Sequence, residues 1–313
     1  MNRIIRFFNQ NRIRIIITIL IIVFILSIIY AVNKILEQTR TDISQVSNHI
    51  EDSSVPIESV ITGEEIDEEV TLENTNTIRE FVDYCNSGNY QNAYNLLSED
   101  CRNEVFSTLE QFISNYVNKI FMTSKTYRLE LWYNTNNVYT YRIVYQENNL
   151  LETGNINSEN TIEDYITIIN ENNEQRLNIN GFIQKEAINV TNNTNNISIT
   201  INNKSMYRSF EKYNITIVNN TDKTISLSDG TNGNEICLID SNEEEYDSII
   251  SEVPVLFLEI DAGATRTLDI RFYKMYNPYR TINYIQFKNI ITDLEDYELS
   301  ENDELKLNMN IEI

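Results

Sequence analysis

The chain of 313 residues has few of the residues on which several kinds of scaffold and site depend. Its 3 cysteines are too few for a disulfide framework in a chain of this length. Cys85 and Cys101 flank one predicted helical hairpin, so a single disulfide bond between them is one alternative. The alternative is that Cys85 is a small apolar residue of a core. The sequence therefore predicts a fold that does not depend on disulfides.

The chain also lacks several groups and motifs that common enzymes use, and no pair stands out among its many carboxylates. Its only histidine, His49, lies in a predicted linker, which excludes histidine base catalysis and histidine-rich zinc sites. No G-x-S-x-G, phosphate-binding loop, dinucleotide-binding or C-x-x-C motif occurs. The acidic stretch 240–247 offers oxygens to Ca²⁺ but lacks the glycine and glutamate of an EF-hand, which favours a solvated loop. We therefore predict no enzyme activity and no catalytic, cofactor-binding or metal-binding residue.

Basic residues are outnumbered by acidic ones, 24 to 47. Residues 1–34 hold five of the basic residues and no acidic residue, so residues 35–313 carry a net charge of −28. Nucleic acid is excluded as a partner, because its phosphates require clustered lysine and arginine.

Glycine (7 residues) and proline (3 residues) are scarce, whereas asparagine and isoleucine are abundant. This composition is typical of proteins encoded by AT-rich bacterial genomes. Two of the few glycine-containing turn signals are Asp229-Gly230 and Asn232-Gly233.

Residues 15–32 form a long apolar run without a charged residue. At about 1.5 Å per residue, a helix over this run covers a hydrocarbon core of about 30 Å. Four arginines and no acidic residue precede the run, which places residues 1–14 in the cytoplasm and everything after Asn33 outside. The run is longer than the apolar part of a signal peptide and lacks a clear small-residue cleavage site. We therefore predict an uncleaved transmembrane helix.

Residues 33–76 are polar and acidic, and they predict a stalk or linker. Apolar residues between Leu36 and Ile50 follow a heptad spacing for only two repeats, fewer than a coiled coil needs. A helix that continues from the membrane is the simpler interpretation, and weak homodimerisation through the stalk is a secondary expectation.

Residues 77–186 have the pattern of an α+β domain. Thr77-Ile-Arg-Glu80 is a capping box that precedes apolar positions at helical spacing, and Gly88 suits the left-handed end of that helix. A second short helix begins at Tyr90, and Ser107-Thr-Leu-Glu110 opens a third. Alternating apolar residues then predict about four antiparallel strands near residues 129–131, 139–145, 166–168 and 177–179. The predicted fold is three helices packed on one face of a curved antiparallel sheet.

The phrase SGNYQNAYNLLS (residues 87–98), followed by LEQF (residues 109–112), resembles the nuclear-transport-factor-2-like fold. In particular, it resembles the extracytoplasmic versions that follow a single membrane anchor in Gram-positive bacteria. The resemblance covers about a third of the chain and implies a cone-shaped domain, a fold that hosts enzymes, ligand binders and scaffolds alike. Related domains occur in conjugation-channel proteins, often two in tandem, and the second domain here departs from that pattern.

Residues 197–313 have the alternation of an all-β domain. Apolar and polar residues alternate in four segments: 197–201, 213–217, 268–272 and 305–313. The continuous apolar run Val255–Ile260 predicts a strand buried on both faces. About seven short strands predict a β-sandwich of immunoglobulin-like type. The phrase DAGATRTLDIRF (residues 261–272) resembles the loop-and-strand motif of small sandwich domains on Gram-positive surface proteins.

The charge pattern reverses in one place. Between residues 262 and 288, five basic residues accompany one acidic residue, and tyrosines are interleaved. Tyrosine and arginine are enriched at binding hot spots, and loops on rigid sandwiches often carry recognition. The candidate partner-binding residues are Arg271, Lys274, Tyr276, Tyr279 and Arg280. The alternative is that these basic residues only pair with acidic neighbours.

Taken together, these patterns predict a single-pass membrane protein of the bacterial cell envelope that presents two extracytoplasmic domains for binding or assembly. The expected partners are the membrane, through the N-terminal helix, and an envelope protein or anionic polymer. Two alternatives stay open. One is a component of a conjugation or secretion machine, and the other is a small-ligand binder that uses the cone of residues 77–186.

Overall fold

The computed structural model describes residues 57–135, 137–147, 161–228 and 235–313. These residues belong to one compact unit, Val55–Ile313, which is a mixed α+β structure of mostly antiparallel sheets with few helices. The predicted cytoplasmic tail, the transmembrane helix and the start of the stalk lie outside the described residues. Within the described ranges, every helix is too short or too polar to cross a membrane.

Helices come first along the described chain: α1 (Glu68–Asn86), α2 (Tyr90–Asn95), α3 (Glu99–Glu104), α4 (Leu109–Phe112), a π-helical turn (Ile113–Val117) and α5 (Asn118–Ile120). The apolar spacing predicted for α1 is confirmed, because Ile78, Phe81, Val82 and Cys85 are all buried. Gly88 has φ of 75°, which confirms the predicted left-handed end. Local periodicity therefore identified the buried faces correctly.

The predicted start of the first helix is wrong. Helix α1 begins at Glu68, and the hydroxyl of Thr77 donates to the carbonyl of Glu73 inside the helix (3.2 Å) instead of capping its end. The early turns bury a polar side chain, Asn74, whose Nδ2 donates to Oη of Tyr141 at 3.2 Å. A buried polar residue with hydrogen-bond partners leaves no trace in apolar periodicity. Residues 68–76 are therefore part of the folded unit rather than of a stalk.

Two other local assignments change. The N-cap of the third predicted helix is Thr108, one residue later than predicted, because Oγ1 of Thr108 accepts the backbone N–H of Gln111 at 3.2 Å. The end of the predicted stalk packs on the first sheet, where the N–H of Val60 donates to the carbonyl of Leu131 at 2.9 Å. The three cysteines are free and buried. The disulfide between Cys85 and Cys101, which the sequence left undecided, is therefore absent.

The four predicted strands of the first region are confirmed as one antiparallel sheet in the order β1-β2-β3-β4: β1 (Lys125–Thr135), β2 (Val138–Glu147), β3 (Ile162–Glu171) and β4 (Glu174–Asn178). The helices and this sheet enclose a first core that is rich in fully or almost fully buried aromatic rings: Phe81, Phe106, Phe112, Tyr116 and Tyr145. Aromatic side chains dominate the buried area of such a core.

Two further antiparallel sheets enclose a second, isoleucine-rich core. One has the order β12-β7-β6-β5: β5 (Phe182–Thr194), β6 (Ile197–Tyr207), β7 (Glu211–Asn219) and β12 (Thr265–Phe272). The other has the order β10-β9-β13-β8-β11, with β14 paired to β13: β8 (Ile225–Ser226), β9 (Ile236–Asp240), β10 (Glu245–Asp247), β11 (Glu259–Ile260), β13 (Ile282–Ile291) and β14 (Lys306–Glu312). Two short helices accompany them: α6 (Val255–Leu258) and α7 (Leu294–Ser300). Strand β5 extends this part of the fold back to Phe182, before the predicted boundary at residue 197.

The predicted buried strand Val255–Ile260 is wrong. Val255, Leu256 and Phe257 are exposed on helix α6, and only the two residues of β11 form a strand. Pro254 precedes the run, and its carbonyl accepts the N–H of Phe257 at 2.8 Å. Proline lacks the backbone donor that a central strand needs but is tolerated at the start of a helix.

Asparagine occupies most of the left-handed backbone positions. Ten non-glycine residues of the described ranges have positive φ, and eight of them are asparagine. The pair Asn172-Asn173 joins β3 to β4, and Asn195-Asn196 joins β5 to β6. Asparagine tolerates this conformation better than other non-glycine residues, which explains how a glycine-poor chain makes tight hairpins. The two predicted Asx-Gly turns lie outside the described residues.

Candidate functional site

The nine residues between β12 and β13, here called the 273–281 loop, alternate between exposed and buried side chains. Tyr273, Met275 and Tyr279 are 65%, 58% and 68% exposed, whereas Lys274 is 3% exposed. Exposed large apolar side chains are common singly, but three within seven residues form a local surface. The loop is therefore a candidate interaction surface whose geometry depends on the buried residues.

Lys274 is the first anchor of the loop. Its Nζ donates to Oε1 of Glu211, at the start of β7, over 2.6 Å, and both side chains are buried. The second carboxylate oxygen of Glu211 accepts the hydroxyl of Tyr213 at 2.8 Å. A buried charge is tolerated only when it is paired and hydrogen-bonded, and Lys274 meets that condition. The structure therefore places this predicted partner-binding residue beneath the surface.

Tyr276 is the second anchor. Its ring lies 6.0 Å from that of Trp132 and 5.3 Å from that of Tyr133, both on strand β1. Its backbone N–H donates to the carbonyl of Arg208 at 3.2 Å. Burial, together with a hydrogen bond to Tyr133, raises the pKa of Tyr276 above its ordinary value. The ring therefore ties the loop to the first sheet and contributes only part of its surface to solvent.

Arg280 is the third anchor. Its guanidinium donates to the carboxylate of Glu244 and, over 2.9 Å, to Oη of Tyr246. Asp240 is fully buried, and its Oδ1 accepts the backbone N–H of Asn242 at 2.8 Å and of Glu244 at 2.9 Å. Residues 241–244 of the acidic stretch thus form the turn between β9 and β10, and Asp240 organises that turn. Within the described ranges, no group of three or more His, Cys, Asp or Glu side chains is placed to hold a metal.

Arg271 lies outside the loop, at the end of β12. Its Nη1 is 3.3 Å from Oε2 of Glu252, and its guanidinium lies over the ring of Phe210 at 5.0 Å. Lys288, farther along the basic stretch, donates to Glu245 over 2.6 Å. The five predicted residues therefore divide into anchors (Lys274, Tyr276 and Arg280) and exposed residues (Arg271 and Tyr279).

Sequence reasoning missed Tyr273 and Met275, although a signal for them exists. In β12 the buried residues are Leu268, Ile270 and Phe272, which alternate with exposed ones. Extending that alternation by three positions places Lys274 inside and Tyr273 and Met275 outside, as the structure does. The expectation that a lysine lies at the surface obscured this periodicity.

A second polar cluster lies in the first core. The Oδ2 atom of Asp164 accepts the hydroxyl of Tyr116 at 2.7 Å, and Tyr116 is 3.1 Å from Oη of Tyr145. The same carboxylate accepts the backbone N–H groups of Tyr165 (2.7 Å) and Asn180 (3.1 Å). Burial raises the pKa of Asp164 from 3.8 to about 6. All these hydrogen bonds are internal, which makes the cluster a structural element of the core.

Comparison of the chain with protein-family models, curated proteins and solved structures found no match. No family is shown for the chain by these comparisons. Its function therefore has to be inferred from the geometry of the loop and from the sequence pattern.

Proposed function

We propose that the chain is a membrane-anchored, extracytoplasmic and non-enzymatic protein of the bacterial cell envelope that binds another envelope protein through the 273–281 loop. The main support for this proposal is that the side chains of Tyr273, Met275 and Tyr279 are exposed, while buried contacts hold the backbone of the loop in place. Aromatic residues and methionine are enriched at protein interfaces. A loop that is already ordered loses less conformational entropy on binding.

A protein partner fits this surface better than an anionic polymer. Lys274 is buried against Glu211, and Arg280 donates to Glu244, so both cations of the loop are paired with carboxylates from other segments of the chain. What remains exposed is apolar and aromatic surface, which a protein interface can bury.

The proposed envelope location rests on the sequence pattern. The uncharged run 15–32 follows four arginines, and the acidic remainder has a net charge of −28. In this proposal the first core is a nuclear-transport-factor-2-like domain and the second is an immunoglobulin-like β-sandwich. Helices on a four-stranded antiparallel sheet and two sheets around one core support these assignments. A conjugation or secretion component is a narrower form of the same proposal, and channel genes beside this one would favour it.

The aromatic packing of the first core argues against the alternative that the chain binds a small ligand in its cone. The rings of Phe106 and Phe112 lie 5.6 Å apart, and Phe112 stacks on Tyr116 at 5.8 Å. Side chains in such contact fill the space that a ligand in the cone would need. The loop is therefore the better-supported site.

Site-specific photocrosslinking tests the loop. A photoreactive amino acid replaces Met275 in the full chain, expressed in the native host, and the matched control replaces Met122, which is 83% exposed. We expect a discrete crosslinked protein from position 275 and none of the same mass from position 122. Adding Tyr273→Ser and Tyr279→Ser should reduce that product at least fivefold. Identical products from both positions, or none from position 275, would reject the loop as the site.

A further inference from the structure

A small pocket of about 230 Å³ lies beside the end of strand β12, outside the 273–281 loop. We call it the Arg271 pocket. Its lining comprises two cations, two carboxylates and two aliphatic side chains: Lys212, Arg271, Glu252, Asp269, Ile249 and Val253. The pocket thus offers both charge signs next to an apolar wall.

The two charge pairs of the pocket are partly exposed to solvent. Arg271 and Glu252 are 3.3 Å apart, and their side chains are 47% and 51% exposed. Asp269 lies 3.6 Å from Nζ of Lys212 and is also about half exposed. Exposed pairs of this kind contribute little to stability, so an incoming charge can take the place of one partner at small cost.

Lys212 and the apolar wall are held in place by the fold. The carboxylate of Glu104 accepts Nζ of Lys212 at 2.6 Å, and it also lies 3.3 Å from Lys185. The backbone N–H of Ile249 donates to the carbonyl of Arg271 at 2.7 Å, which fixes this wall against β12. Lys212 and the aliphatic side of the pocket are therefore positioned before any ligand arrives.

We infer that the Arg271 pocket binds a small zwitterion, namely a free α-amino acid with an aliphatic side chain. Its carboxylate pairs with Arg271, its ammonium group pairs with Glu252 or Asp269, and its side chain contacts Ile249 and Val253. The four lining charges balance, so a zwitterion leaves none of them unpaired, whereas a simple anion or cation would. The volume lies below the range of about 300–1,000 Å³ of pockets for drug-sized ligands, which favours a single amino acid over a polymer segment.

Isothermal titration calorimetry of the full chain in detergent tests this site with L-leucine as the probe. Two capped forms serve as matched ligands: L-leucinamide lacks the carboxylate, and N-acetyl-L-leucine lacks the ammonium group. We expect saturable binding of L-leucine and at least tenfold weaker binding of each capped form. Equal binding of the three compounds, or no saturable binding of L-leucine up to its solubility, overturns the proposal.

Single-charge variants locate the site. Arg271→Gln and Glu252→Gln should each weaken L-leucine binding at least tenfold. The control Arg142→Gln removes an exposed arginine that pairs with Glu130 and Glu163 on the first sheet, and it should bind as the unchanged chain does. Unweakened binding by both pocket variants overturns the assignment. This site does not depend on the loop, so Tyr273→Ser/Tyr279→Ser should leave L-leucine binding unchanged.

Discussion

The Nζ atom of Lys274 lies 2.6 Å from Oε1 of Glu211, and both side chains are almost completely buried. Taking two charges out of water is costly, and their attraction compensates for that cost only when the pair is intact. Removing one partner therefore leaves an uncompensated charge in the interior. This pair joins the 273–281 loop to strand β7 and holds Tyr273 and Met275 toward solvent.

Lys274→Met should lower the free energy of unfolding by about 3–5 kcal/mol, because Glu211 is then buried without its cation. The double variant Lys274→Met/Glu211→Gln should lose less than the sum of the two single variants. Urea denaturation followed by the fluorescence of Trp132, the only tryptophan, measures both changes.

Arg142 forms exposed ion pairs on the first sheet, and its removal provides the control for the variants of Lys274 and Glu211. Arg142→Gln should change the free energy of unfolding by at most about 1 kcal/mol. A loss in Lys274→Met no larger than in this control would contradict the anchoring role of the lysine.

Asp164 should make the stability of the protein depend on pH. Burial raises its pKa to about 6 in the folded state, whereas its ordinary value is 3.8. The folded state therefore binds the proton more tightly, and the contribution of this group to stability falls as the pH rises from about 4 to about 6. Asp164→Asn removes the titration. The free energy of unfolding of the variant, relative to the unchanged chain, should rise by about 2 kcal/mol from pH 4 to pH 7.

The neighbouring Glu163 provides a control of opposite sign. A hydrogen bond from Arg142 lowers the pKa of Glu163, so its contribution to stability is lost as the pH falls. Glu163→Gln, measured by urea denaturation over the same pH series, should therefore lose stability relative to the unchanged chain as the pH rises. Parallel pH profiles for the two variants would contradict the role of Asp164.

Asn196 tests the use of asparagine in the tight turns. Its φ of 62° lies in the left-handed region, where a Cβ without a compensating polar group is unfavourable. Asn196→Ala should lower the free energy of unfolding by about 1 kcal/mol, and Asn196→Gly should change it by less than about 0.5 kcal/mol. Thermal unfolding measures both, with Asn193→Ala on the exposed part of β5 as the control. A lower melting temperature for the glycine variant than for the alanine variant would contradict this explanation.

Protease accessibility tests the proposed topology. Protease added to cells with a permeabilised wall should remove epitopes beyond residue 35 and spare an epitope tag placed on residues 1–14, because the arginine-rich terminus stays in the cytoplasm. Immunoblotting of both epitopes gives the result, and lysed cells show that the tag is itself cleavable. Protection of the region 57–313 in unlysed cells would contradict an extracytoplasmic location.

Sequence pattern alone determined which faces of several elements are buried. The alternation of Ile215 with Thr216 in β7, and the helical spacing of Ile78 and Phe81 in α1, were both confirmed. These assignments require only that apolar side chains leave water and that the backbone has a fixed period. Local information is sufficient for that purpose, because period and polarity are both contained in a few neighbouring residues.

Tertiary structure decided where two polar residues lie and whether the apolar run Val255–Ile260 is buried. Asn74 is buried because Tyr141 accepts its hydrogen bond, and Lys274 is buried because Glu211 pairs with it, although each partner is more than 60 residues away along the chain. Phe257 is exposed because Pro254 starts a helical turn there. Extending the alternation of β12 places Lys274 inside, but only the fold brings the carboxylate that makes a buried lysine tolerable. Burial of a charge depends on a partner in space, and a one-dimensional pattern does not contain that partner.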